Sequence, residues 1–82
     1  MITIDCNGVE NPRQMHALLA SALSFPEYYG YNLDALFDCL TQWDGQGIQL
    51  KCFGNLGEWK KGFQRVFDIA MGENPNLQIL VI

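Results

Sequence analysis

Three extended runs, separated by stretches of helical periodicity, set the strongest limit on what this chain can become. Ile2-Thr3-Ile4 is a β-branched run that stops at the turn pair Asn7-Gly8. Ile48, Leu50 and Cys52 alternate with Gln49 and Lys51, the pattern of a half-buried strand. Leu77 to Ile82, apolar apart from Gln78, reads as a buried strand. Two helical segments lie between the first and second runs, and one lies between the second and third. Helical crossovers between strands favour parallel pairing with right-handed connections. The order strand-helix-helix-strand-helix-strand therefore predicts an α/β fold, a three-stranded parallel sheet with three main helices packed on it. With no linker or repeat, the 82 residues are expected to form one domain, 1–82.

The helix signals are mostly local. Asn11 is a good N-cap and Pro12 suits the first helical position. Met15, Leu18, Leu19, Ala22 and Leu23 follow at helical spacing, so the first helix spans about Pro12 to Ala22. Ser24 to Tyr31 reads as a loop, in which Gly30 is the residue expected to supply a positive φ. Asn32 caps a second helix that reaches about Trp43 and stops at Asp44-Gly45-Gln46-Gly47. Asn55 and Glu58 resemble a capping box for the third helix. Its stripe is Leu56, Trp59, Phe63, Val66, Phe67, Ala70 and Met71, and Gly72 with Pro75 ends it.

The formal net charge of −4 disfavours direct binding to nucleic acid, which needs a cationic surface, and suits a basic partner. Three cysteines are an odd count without metal spacing, which favours reduced thiols and a cytoplasmic protein. No apolar run approaches membrane-spanning length, and the first residues lack the pattern of a signal peptide. Nothing in the sequence calls for a cofactor or a metal.

Within the second helix, Leu33, Leu36, Leu40 and Trp43 fall on one side, flanked by Ala35 and Cys39. That side is expected to face the core. Asp34, Asp38, Thr41 and Gln42 gather opposite, with Phe37 at the boundary. No lysine or arginine occurs between Arg13 and Lys51, so no nearby cation balances the aspartates. Like charges four residues apart cost an isolated helix about 0.2–0.5 kcal/mol. An aromatic beside an acidic patch, preceded by Tyr28, Tyr29 and Tyr31, has the composition of a binding interface. A solvated helix face and ordinary loop packing account for the same residues without a partner. An enzyme using Asp34 and Asp38 as an acid–base pair is disfavoured, because both lie on a convex helix face where no cleft is expected. His16 is expected to be structural.

Pro26-Glu27-Tyr28-Tyr29-Gly30, Asn32-Leu33-Asp34-Ala35-Leu36 and Asp38-Cys39-Leu40-Thr41 with Trp43 together resemble the barstar family of ribonuclease inhibitors. The resemblance is dense over about twenty residues. It implies a three-stranded parallel sheet under its helices. It also implies stoichiometric inhibition of a small basic, barnase-like ribonuclease by a monomer in a 1:1 complex. By resemblance, Asp38 takes the site of a substrate phosphate and Asp34 is a second acidic contact. Tyr28, Tyr29, Gly30, Asn32, Phe37, Thr41, Trp43 and Glu73 stand at interface positions around them. The sequence departs from the family at Tyr31 and Ile69, where acidic residues are usual, at Gln42 for a glycine, and at Phe37 for a tryptophan. A short helix before the last one is expected to be missing. These departures keep two other readings open. One is an immunity protein against the nuclease domain of an interbacterial toxin. The other is a barstar-fold interaction module that inhibits no nuclease.

Overall fold

A computed structural model describes all residues, 1–82. The chain runs β1 (Ile2–Asp5), α1 (Pro12–Ala22), α2 (Leu33–Thr41), β2 (Ile48–Lys51), α3 (Lys60–Glu73) and β3 (Ile79–Val81). The three strands form one parallel sheet in the order β1-β2-β3. Its register aligns Ile2, Ile48 and Ile79 in one row, and Ile4, Leu50 and Val81 in another. Ile4, Ile48 and Leu50 are buried under the helices, while Thr3, Asp5 and Lys51 point to the open face. The result is two layers with a single cluster of 15 buried hydrophobic residues. The predicted element order, parallel sheet and three main helices are all present.

The two asparagine caps act as their sequence positions imply. The Asn11 side chain accepts a hydrogen bond from the Gln14 amide at 2.9 Å, and Asn32 accepts one from Ala35 at 2.8 Å. The third helix differs. It begins at Lys60 with no side-chain cap, and a 3-10 turn at Phe53–Asn55 precedes it. Asn55 belongs to that turn, and Glu58 pairs with Lys61 at 2.6 Å instead of capping. Leu56 and Trp59 therefore lie ahead of α3 and pack against the core from there. This single turn occupies the place where a short helix was expected to be missing.

The last strand also differs. Only Leu77 in the Leu77–Ile82 run is fully buried, whereas Leu80 is 54% and Ile82 55% exposed. The helices cover one face of the sheet only, and Leu80 shares a row with Thr3 on the open face, where no second layer covers it. The largely apolar run of the sequence suggests a buried strand, and burial is confined to its start.

Helix α2 packs chiefly on α3. Leu36 and Leu40 are buried, but Leu33, expected to hold the helix to the sheet, is 36% exposed. Its Cδ1 lies 3.0 Å from where a Cβ on Gly62 would stand, so the glycine lets the start of α2 approach α3. At the other end, the buried Asn74 amide donates to the Leu40 carbonyl at 2.9 Å and to the Trp43 carbonyl at 2.7 Å. Asn74 thus satisfies carbonyls that the end of α2 leaves without a helical partner. No helix is long and apolar enough to cross a membrane, and all three cysteines are free.

Candidate partner-binding site

The expected site is built from the loop before α2, the outer face of α2 and the end of α3. Asp34 and Asp38 are both exposed on α2, and neither forms an ion pair; the chain's one ion pair is Lys61–Glu58. Asp34 lies in the first turn, where the partial positive charge of the helix N-terminus favours it. Asp38 is one turn further in and lacks that support. The two carboxylates therefore project from a helix that is fixed at its start by Asn32 and Gly62 and at its end by Asn74.

Several expected contact residues have structural duties that change how they can act. Tyr29 is only 6% exposed, so little of its ring is open to a partner. Its hydroxyl lies 2.7 Å from Nδ1 of the buried His16, and its ring packs on Phe25 and Tyr31. Tyr29 is the floor of the loop. Burial raises the pKa of its hydroxyl and lowers that of His16, so the pair is neutral near pH 7. Tyr28, in contrast, is 87% exposed and free to touch a partner.

The positive φ expected at Gly30 falls on Tyr31, at 54°. The ring of Tyr31 lies 5.4 Å from that of Tyr29, and the Arg13 guanidinium sits 5.2 Å above it. A left-handed non-glycine costs about 1–2 kcal/mol, and these contacts hold it there. Gly30 is needed for a different reason. A Cβ there would stand 2.9 Å from the Asn32 side-chain nitrogen, which donates to the Gly30 carbonyl at 3.2 Å. Both ends of the Asn32 amide are thus used inside the chain, and its part in the site is to set the loop against α2.

Phe37 is half-buried against the core and offers an edge instead of a protruding anchor. Thr41 is half-buried, and its hydroxyl donates to the Asp38 carbonyl at 3.1 Å. Trp43 lies beyond the helix, which ends at Thr41, and its indole N–H donates to the Gln46 carbonyl at 2.9 Å. Glu73 is the exposed last residue of α3, directly before Asn74, and so stands beside the end of α2. Asn74, which sequence reading missed, is what brings these parts together. Its position before Pro75 was the available signal, but nothing local marked its partners 31 and 34 residues away.

Beside Asp38 the surface opens into a groove of about 590 Å³. Its walls include Phe25, Tyr28, Tyr29, Gly30, Asp38 and Trp43. The convex face expected to lack a cleft therefore has one along its side. Asp34 does not line it, so the two aspartates do not face each other across a cavity. Cys39 does line it, but burial, with Asp38 adding, pushes its thiol up, which keeps it protonated and a poor nucleophile. A carboxylate beside aromatic walls can accept hydrogen bonds from a cationic side chain while the rings enclose it.

Residues 1–70 match the sequence model of the family described as "Barstar (barnase inhibitor)". A Bacillus subtilis (strain 168) protein named "Putative ribonuclease inhibitor YrdF" is similar to this chain, with 55% identity over 42 residues. That match covers 51% of this chain and 46% of the relative, so it spans about half of each.

Proposed function

The chain belongs to the barstar family, and from that premise we propose that it is a stoichiometric protein inhibitor of a small basic ribonuclease. One observation carries the reading: two exposed, unpaired carboxylates on a rigid helix, one of them at the mouth of an aromatic groove. A ribonuclease active site collects arginine, lysine and histidine to hold a phosphodiester. The Asp38 carboxylate meets the same groups with charge-assisted hydrogen bonds but contains no bond they can cleave. Asp34 and Glu73 add acidic contacts on either side. Tyr28 supplies exposed aromatic area, and the groove receives a side chain from the rim of the nuclease site. The negative field of this face also speeds encounter with a basic protein.

The inhibitor reading excludes catalysis by the chain itself. Asp34, the other carboxylate of the α2 pair, lies outside the groove that Asp38 lines, and burial raises the pKa of the nearby Cys39 thiol, which disfavours the nucleophilic thiolate. The decisive experiment is a titration of barnase-type ribonuclease activity with the purified chain. Activity should fall linearly to a break at one equivalent, and Asp38→Ala should abolish the effect. Undiminished cleavage at a large excess of the wild-type chain contradicts the proposal. In that case, protection of cells against a co-expressed toxin nuclease domain distinguishes an immunity protein from an interaction module.

A further inference from the structure

The side of α2 away from the groove carries an unexpected surface. Advancing about 100° per residue, Leu33 and Phe37 share the side of α2 that meets α3. On α3, Gly62, Ile69 and Glu73 lie within about 40° of one another. Leu33 rests on Gly62, and Asn74 joins the far ends of the two helices, so both faces line the same seam. Along this seam Leu33 is 36% and Ile69 50% exposed, and Tyr31 at its upper end is 39% exposed. Phe37 is half-buried between them. The acidic face is therefore bordered by the groove on one side and by an apolar shoulder on the other.

Cations stand behind that shoulder. Arg13 lies over the Tyr31 ring, and Arg65 is one helical turn from Ile69. Neither has an ion-pair partner. A partner bringing further basic residues to this side meets two unpaired arginines and buries apolar surface against charge. A partner with an apolar rim meets a matching surface and avoids that repulsion.

Resting on the inhibitor reading, we propose that Tyr31, Leu33, Phe37 and Ile69 form a specificity surface. The fitting partner is a ribonuclease whose cationic active site is bordered, on the side facing Leu33 and Ile69, by an apolar rim, with any additional lysine or arginine confined to the end that meets the exposed Glu73. Asp34 and Asp38 engage the cationic centre common to such enzymes. The shoulder distinguishes among them by their rims.

A displayed library of barnase inactivated by one catalytic substitution tests this, with rim positions randomised and the other active-site residues kept. Selection uses wild type, Ile69→Glu, Tyr31→Asn and Asp38→Ala as baits. Ile69 is exposed and asparagine tolerates a positive φ, so both shoulder variants retain the fold, as thermal unfolding will verify. Wild type should enrich apolar rim residues over lysine and arginine by about tenfold. Ile69→Glu should reverse that preference, and Tyr31→Asn should weaken it. Identical enriched rims for wild type and Ile69→Glu, or basic rims enriched by wild type, overturn the proposal while leaving the inhibitor reading intact. Failure of wild type to enrich binders above the Asp38→Ala bait defeats the inhibitor reading, and this surface with it.

Discussion

Helices α2 and α3 lie side by side and divide the work of the molecule. α3 buries Phe63, Phe67 and Ala70, carries Lys60, Lys61 and Arg65, and contains the cation of the only ion pair. α2 buries two leucines and turns two unpaired aspartates to solvent. α3 has no side-chain cap and depends on its aromatic face, because tertiary packing supplies most of a helix's stability. α2 is capped, braced at its start by Gly62 and at its end by Asn74, and its outer face gains nothing from the rest of the free chain. One helix anchors. The other is held in place with its charge exposed and unpaired.

This division can be broken from the anchor side. Phe67→Ala removes a ring that is 1% exposed, and should lower the unfolding free energy by about 3–5 kcal/mol in urea titrations. Partner affinity, corrected for the folded fraction, should stay within a factor of two or so. Asn74→Ala tests the brace. It strips the amide from two carbonyls and should cost about 1–3 kcal/mol of stability. Unlike Phe67→Ala, it should also weaken binding, because the end of α2 and Trp43 lose their fixed position.

His16 sharpens the comparison through pH. Burial holds its pKa below the usual value near 6.5, so the unfolded chain takes up this proton more readily than the folded one. The stability from neutral His16 is therefore complete above about pH 6.5 and declines as pH falls toward the lowered folded value. Denaturant titrations between about pH 7.5 and 5.5 should show this slope in the wild type, and His16→Gln should flatten it. An equal slope in the variant means that other groups carry the dependence.

The sequence revealed α2 more fully than α3, for physical reasons. Asn11 and Asn32 act within three residues of themselves, so their caps could be read directly. The start of α3 and the exposure of β3 depend on what lies across the fold. Glu58 resembles a capping residue until Lys61 takes it, and Leu80 resembles core until the open face of the sheet leaves it uncovered. The aspartates were legible because nothing nearby neutralised them. The burial of Tyr29 was not legible because its partner, His16, lies 13 residues away, and the positive φ was assigned to Gly30 on propensity alone.

The division of labour is tested most directly by Asp38→Asn, measured twice on the same preparation. In the free chain the substitution removes a repulsion from Asp34 without changing size, so the unfolding free energy should rise by about 0.2–0.5 kcal/mol. Against the ribonuclease, the same change should weaken binding by about 2–5 kcal/mol in calorimetric titration. Opposite signs are the prediction. A variant that loses stability and binds as tightly as wild type contradicts the claim that α2 keeps its charge for a partner.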